Sequence, residues 1–151
     1  MRVVLQRVLR ASVAADGGTI AEIGRGYLLL VGVGRGDPAD EPERLAEKIV
    51  NLRLFADDQG KTNRSLADVD GEVLVVSQFT LYADLRKGRR PSWGDAEDPA
   101  VASERVEALA AALEARAVRV GRGVFGATMA VELLNDGPFT LVLDGASLSS
   151  A

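Results

Sequence analysis

Tyr27-Leu28-Leu29-Leu30-Val31-Gly32-Val33 is the stretch on which the fold turns. It is an unbroken apolar run, with Gly24-Arg25-Gly26 before it and Gly34-Arg35-Gly36 after it. That is the pattern of a strand buried on both faces, which requires helices or a second sheet on either side. The run is far too short to cross a bilayer as a helix, which takes about 20 apolar residues.

Upstream of this run, Arg2 to Leu9 is rich in β-formers. Ser12 to Ala15 and Thr19 to Ile23 flank Asp16-Gly17-Gly18, a hairpin-turn signal. Downstream, Leu45, Ile49 and Leu52 recur at helical intervals. Asp40 is placed as N-cap, and Glu43 stands at capping-box spacing from it. Asp57-Asp58-Gln59-Gly60 is read as the turn that ends this helix. Glu72 to Tyr82 is the next predicted strand, and a Gly-, Pro- and Arg-rich loop fills Ala83 to Asp98. Asp98-Pro99 opens a second helix, with Val106, Leu109, Ala110, Leu113 and Ala117 as its apolar stripe. Thr128 to Leu134 and Phe139 to Leu143 are read as two closing strands joined by Asn135-Asp136-Gly137-Pro138. Single helices between strand-rich blocks predict one α/β domain, a three-layer sandwich of two mixed β-sheets and one helical layer. It spans residues 1–145, and the small, polar tail at 146–151 is expected to fray.

Composition narrows the chemistry. The chain has 151 residues, 47% of them hydrophobic and 26% charged, ordinary for a globular domain. It contains no cysteine, which removes thiolate nucleophiles and cysteine metal sites. It contains no histidine, which removes a Ser-His-Asp triad and the commonest metal ligand. No metal and no cofactor are expected. A net charge of −4 argues against a protein that coats nucleic acid indiscriminately, and no DNA partner is expected. The opening Met1-Arg2-Val3-Val4-Leu5 has no signal-peptide layout. A cytoplasmic location without membrane contact is the default expectation.

Three stretches stand out against this background. In Ser77-Gln78-Phe79-Thr80-Leu81, a continuing strand would put Gln78 and Thr80 on a face that Leu74 and Val76 make apolar. They need polar partners there, unless the strand simply emerges into solvent. In Asn135-Asp136-Gly137-Pro138-Phe139-Thr140, Asp-Gly suggests a plain hairpin turn, yet the following proline fixes φ and lacks an N–H. Arg86, Lys87, Arg89 and Arg90 crowd one loop just before Pro91 and read either as a solvated loop or as a local anion site.

Taken together, these motifs resemble the bacterial and eukaryotic D-aminoacyl-tRNA deacylases along nearly the whole chain. Leu5-Gln6-Arg7-Val8 and Arg10-Ala11-Ser12-Val13 look like that family's first strand. Ser77 to Leu81 matches its SQFTL signature, and Asn135 to Thr140 its N-x-G-P-x-T signature. Gly88-Arg89-Arg90-Pro91-Ser92 and Phe125-Gly126-Ala127 fall where the family has similar stretches. The chain departs at Phe139, where valine is usual, at Trp93, where phenylalanine is usual, and at Thr128, where aspartate is frequent.

The resemblance implies a homodimer with two active sites at the subunit interface, acting on aminoacylated tRNA. It implies hydrolysis of the ester of D-aminoacyl-tRNA, and of mischarged glycyl-tRNA, as chiral proofreading in translation. Ser77, Gln78, Phe79 and Thr80 would form the catalytic pocket for the terminal adenosine and the ester. Gly137 and Pro138, joined by a cis bond, would enter the partner's pocket. Arg7 would orient them, with Asn135 and Thr140 as further substrate-binding and chiral-selection positions. Arg86, Lys87, Arg89 and Arg90 would then meet tRNA phosphates. A threonine hydroxyl needs a base to act as nucleophile, and none stands beside Thr80 in the motif. Positioning by Thr80, with backbone N–H groups near Phe79 and Thr80 as oxyanion donors, is the favoured expectation. Two other readings remain at this point. One is a related editing deacylase with a trans Gly-Pro bond that acts on some L-aminoacyl-tRNAs. The other is a tRNA-binding module without catalysis.

Overall fold

The fold was obtained as a computed structural model, which describes residues 1–148. At its centre is β3 (Gly26–Gly32), and the all-apolar sequence has the consequence expected of it. Tyr27, Leu29 and Val31 face one core cluster, and Leu28 faces another. On one side β3 pairs antiparallel with β1 (Arg2–Ala15), and on the other parallel with β6 (Glu72–Ser77).

Two long strands give the sheet its shape. The first half of β1, Arg2 to Val8, lies against β3. Its second half, Ala11 to Ala15, lies against β2 (Gly18–Ile23). Along its opposite edge β1 pairs with β8 (Ala130–Asp144) over nearly its full length. The order is β2-β1-β3-β6-β7, where β7 is Val120–Arg122 and β8 sits on the far side of β1. Part-way along β1 the buried face switches. Val3 and Leu5 enter the first core cluster, and Val8, Ala11 and Val13 the second. That second cluster joins Val13 and Ile23 to Leu28, Leu74 and Val76, so the distal halves of β1, β2 and β8 fold over the back of β3 and β6.

One hydrogen-bonded mixed sheet therefore supplies two layers. The third is helical. α1 (Glu41–Asn51) contributes Leu45, Ala46 and Ile49 to the front core, and α2 (Pro99–Glu114) contributes Ala102, Leu109, Ala110, Ala112 and Leu113. Arg122 on β7 donates to Glu107 and Glu114 of α2, fastening that helix to the sheet edge. A separate small sheet pairs β4 (Phe55–Ala56) with β5 (Thr62–Arg64). No helix among the described residues is long and apolar enough to cross a membrane.

Several local expectations change. Ser12 to Ala15 is not a separate strand but the continuation of β1. The strand predicted over Glu72 to Tyr82 stops at Ser77, and Phe79–Tyr82 forms a 3₁₀ turn. The two closing strands are one, β8, which runs on in the same direction through Gly137-Pro138. Asp40 occupies the N-cap of α1 but makes no side-chain cap bond, and Glu43 is paired with Arg116 instead. Asp57 to Gly60 does not end α1; it turns the chain between β4 and β5, with the Asp57 carboxylate accepting from the amides of Gln59 and Lys61. Ala117 lies past the end of α2, at φ 62. Gly145 to Leu148 is docked rather than frayed. Gly145 is buried, and Arg44 donates to the Leu148 carbonyl at 2.5 Å. Residues 149–151 of the predicted tail lie outside the described residues.

The start of β1 carries a buried ion group. The Met1 ammonium lies 2.5 Å from Glu41 and 2.7 Å from Asp37, and Glu41 is almost wholly buried. Breaking such a group by removing one partner leaves an uncompensated charge in the core. Gly145 packs on the Glu41 carboxylate so closely that no Cβ fits.

At Gly26 β3 and β6 approach closely. A Cβ there would lie 1.8 Å from the Glu72 carbonyl oxygen, which is backbone and cannot swing aside. Gly26→Ala is therefore expected to lose about 3 kcal/mol or more of stability, measured by denaturant unfolding.

Candidate active site

At Ser77 the parallel ladder runs out. Gln78 still donates its amide to the Val31 carbonyl, at 2.7 Å, and then leaves the strand at φ −145 and ψ 76. The Phe79–Tyr82 turn closes through Leu81 N–H to the Gln78 carbonyl at 3.2 Å and Ala83 N–H to the Thr80 carbonyl at 3.1 Å. Two glycines make room for it. A Cβ on Gly32 would press on the Gln78 carbonyl at 2.9 Å, and one on Gly34 would strike the Tyr82 ring at 2.5 Å. The alternation expected of a strand thus does not apply beyond Ser77. The polar residues Gln78 and Thr80 satisfy each other, the Gln78 amide donating to the Thr80 hydroxyl.

In front of the turn is an open cavity of about 410 Å³. Val31, Val33, Ala102 and Val106 give it an apolar floor, and Phe79, Trp93 and Phe125 give it aromatic walls. Phe79 and Trp93 meet edge to face, centroids 4.8 Å apart. Ser77 and Gln78 line one side, and Arg35, Glu97 and Asp98 the other, Arg35 and Asp98 being paired at 3.2 Å. Thr80 does not line the cavity and sits beside it, tethered to Gln78. Among the described residues, no acceptor takes the amides of Phe79 and Thr80, which head the turn. Two free N–H groups at the mouth of an apolar cleft can stabilise a developing oxyanion. Nothing in the sequence marked Arg35, Glu97 or Asp98 as neighbours of Ser77, because they come from distant segments.

The second motif builds a different object. β1 and β8 pair at Gln6 with Thr140 and at Val8 with Asn135. Between those pairs Arg7 alone faces Asp136, Gly137, Pro138 and Phe139. The excess residues leave the sheet as a wide bulge rather than a hairpin turn. Its neck is closed by Asn135, which donates to the Thr140 hydroxyl at 2.9 Å and accepts the Phe139 amide at 2.8 Å. Gln6 also donates to Thr140, at 3.3 Å. From below, Arg7 Nε meets the Asp136 carbonyl at 3.1 Å and its carboxylate at 3.2 Å. Arg7 also donates to the Leu54 carbonyl, and its guanidinium lies 4.7 Å from the centroid of the Phe139 ring. Phe139, the departure from valine, thus supplies a cation–π surface for Arg7. Next to Arg7 along the sheet, Tyr27 is buried and stacks on Phe55, and burial pushes its phenol pKa up.

Gly137 and Pro138 form the exposed crest of the bulge, and the peptide bond between them is cis. Gly137 has φ +133, and a Cβ there would lie 3.1 Å from Arg7 Nη2. The structure does not bring this crest to the cavity of its own chain. Arg7 is in register with Tyr27 at the start of β3, whereas the cavity opens beyond Val31 at the other end. At about 3.3 Å per residue the two are more than a dozen ångströms apart along the strand alone.

The basic loop is exposed from Leu85 to Asp95. Its base is closed by reciprocal backbone bonds between Asp84 and Ser92, at 2.9 and 3.1 Å. Arg86 folds back on Asp84 through two side-chain bonds, at 2.8 and 2.7 Å. Its charge is thereby engaged within the loop. Lys87, Arg89 and Arg90 have no carboxylate partner among the described residues.

The family model described as D-Tyr-tRNA(Tyr) deacylase matches residues 4–144. The chain belongs to this family. Relatives named D-aminoacyl-tRNA deacylase include that of Roseiflexus castenholzii (strain DSM 13941 / HLO8). It is 59% identical over 146 residues, covering 97% of this chain and 93% of the relative. The one from Thermomicrobium roseum (strain ATCC 27502 / DSM 5159 / P-2) is 57% identical over 148 residues, covering 98% and 96%. A solved structure titled c-Myc DNA Unwinding Element Binding Protein superposes with a TM-score of 0.88 at 39% identity, over all of both chains. A structure described as a probable eukaryotic D-amino acid tRNA deacylase shares the fold, with a TM-score of 0.80 at 19% identity, over 94% of this chain and 97% of the other.

The loop offers a direct check on its geometry. The two side-chain bonds from Arg86, joined by its backbone amide, hold the Asp84 carboxyl at about 2, below its ordinary 3.8. A carboxyl NMR titration is expected to find Asp84 still ionised at pH 3. Arg86→Ala is expected to return it toward the ordinary carboxylate range. Because the folded value is depressed, the pair's contribution to loop order is present above the ordinary value and is lost as pH falls toward 2.

Proposed function

We propose that this protein hydrolyses the ester joining a D-amino acid to the 3′ end of tRNA and so proofreads chirality in translation. The observation that carries the reading is the pair of unpartnered amides of Phe79 and Thr80 beside an aromatic-walled cleft, in a chain of the deacylase family. An aminoacyl ester is already an activated acyl group. Holding it against preorganised N–H donors supplies a large part of the needed barrier reduction. The phenyl and indole walls suit a stacked adenine, as expected for the terminal adenosine of tRNA. Thr80 acts by positioning, since its hydroxyl is bonded to the Gln78 amide and not to a base. The 2′-hydroxyl of the terminal adenosine, as the family resemblance implies, helps to activate water.

Selectivity rests on exclusion. The Gly137-Pro138 crest stands on an edge strand and away from its own cleft, so it acts on the cleft of a second copy. Among the described residues β8 pairs with β1 alone, and Leu134 and Val142 are exposed along it, as befits a strand covered in a homodimer. In that arrangement the crest bars the L-substituent at the α-carbon, whereas glycine, having none, passes. Asn135, Thr140 and Arg7 hold the crest in shape. Lys87, Arg89 and Arg90 meet tRNA phosphates, with Arg86 bracing the loop through Asp84. The reading places the protein in the cytoplasm, where charged tRNA is consumed.

Gly137→Ala tests the crest. The added methyl meets Arg7 at a backbone angle that L-residues avoid, and kcat/KM on D-Tyr-tRNA is expected to fall about a hundredfold. The far-UV spectrum should stay that of the wild type, with the melting point lowered by about a few degrees. Hydrolysis of L-Tyr-tRNA by the wild type at a rate matching that of D-Tyr-tRNA would overturn the assignment. Neutralising Lys87, Arg89 and Arg90 together is expected to flatten the salt dependence of tRNA binding by about 0.7 to 0.9 in log–log slope per lost phosphate contact.

A further inference from the structure

The Phe79–Tyr82 turn has little of its own to hold it. Two backbone bonds close it, from Leu81 and from Ala83, and Phe79 is 56% exposed. Tyr82 anchors it inward, ring against Gly34, its hydroxyl a long 3.5 Å from Asp37. On the outer side Trp93 packs against Phe79, and Arg2 reaches the far end of the turn. Arg2, first residue of β1, donates from Nη1 to the Leu81 carbonyl at 3.1 Å. Its guanidinium also lies 4.5 Å from the centroid of the Tyr82 ring. Arg2 is itself steadied by Asp144, its register partner on β8, at 3.5 Å. It therefore grips the last two residues of the turn at once, by a charge-assisted bond to the Leu81 carbonyl and by a cation–π contact to Tyr82.

We propose that Arg2 is a positioning residue for the reaction. It fixes the turn, and through it the Phe79 wall and the amides of Phe79 and Thr80, without touching substrate. The proposal rests on the reading of this turn as the site of ester hydrolysis.

Trp93, the chain's one tryptophan, reports on the turn because it packs edge-on against Phe79. In the full-length protein, Arg2→Ala is expected to shift Trp93 emission to the red and to raise its quenching by acrylamide. Its kcat on D-Tyr-tRNA should fall by about tenfold to a hundredfold, with KM and its salt dependence held. Arg2→Lys keeps a cation over Tyr82 and a donor for Leu81, and is expected to restore both readouts in large part. Arg119→Ala, which removes a distant surface arginine paired with Glu72, should alter neither. Wild-type kcat together with unaltered Trp93 emission in Arg2→Ala would overturn the proposal. So would a loss confined to KM with a flattened salt dependence, which would make Arg2 a phosphate contact. Altered Trp93 emission with unchanged kcat would leave the grip standing and sink the reading of the turn as the reaction site.

Discussion

The pairing of β1 with β8 is the constraint from which the rest of the architecture follows. It runs from Arg2 to Ala14 with two interruptions, one where Arg7 faces a surplus of residues on the opposite strand and a smaller one at Leu9, which has no partner between Val8 and Arg10. Because both strands are long, they belong to the front layer at one end and to the back layer at the other. The core switches faces where they cross, from Val3 and Leu5 to Val8, Ala11 and Val13. The bulge lies at that crossing. It is there that a bent sheet can shed extra residues without losing its ladder on either side. Asn135 and Thr140 then act as a clasp, and Arg7 as a floor. A motif that reads as chemistry in the sequence is, residue by residue, largely a device for holding two residues out in the open.

The cleft follows from a second termination. β6 stops at Ser77 because the ladder with β3 ends there, and the chain then turns tightly over Gly32 and Gly34. A 3₁₀ turn leaves its leading amides without internal acceptors. Those amides are a by-product of how the strand ends, and on the proposed reading they serve the acyl oxygen as it develops charge. Such a site needs no histidine. What it needs is a fixed geometry, because preorganised donors lose their value if they must reorient as the reaction proceeds.

How much of this could be read from the sequence differs by element. β3 was plain, since no polar residue interrupts Tyr27 to Val31, and both helices showed their apolar intervals. The α/β class and the layered arrangement follow from them. Continuity was harder to see. Leu9 and Arg10 break the alternation of β1, because the strand changes layer there, and this imitates a strand boundary. Asn-Asp-Gly-Pro imitates a hairpin, because turn residues suit a bulge for the same backbone reasons. β4, β5 and β7 are two or three residues long and leave no period to detect. The residues singled out gather in three separate places, Ser77 to Thr80 at the cleft, Arg7 with Asn135 to Thr140 at the bulge, and Arg86 to Arg90 on the exposed loop. The cleft's further lining, with Arg35, Glu97 and Asp98, is assembled only by the tertiary fold.

That separation is itself an argument about how discrimination is achieved. A filter that rejects one mirror image by steric exclusion must not yield, so it belongs on a braced backbone and not on a mobile side chain. Arg7, on β1, reaches two other segments at once, Asp136 and Phe139 on β8 and Leu54 after α1. The crest it braces has a glycine and a proline at its summit, neither of which has a side-chain rotamer to swing aside. Placed over its own cleft, so stiff an element would obstruct entry of the tRNA end as readily as it obstructs the wrong stereoisomer. In the proposed dimer, where it is mounted on an edge strand and offered to a second copy, it can be rigid in one chain while the other keeps an open approach for tRNA. Rigidity of the filter and access to the cleft are then set by different chains, and neither has to be compromised for the other.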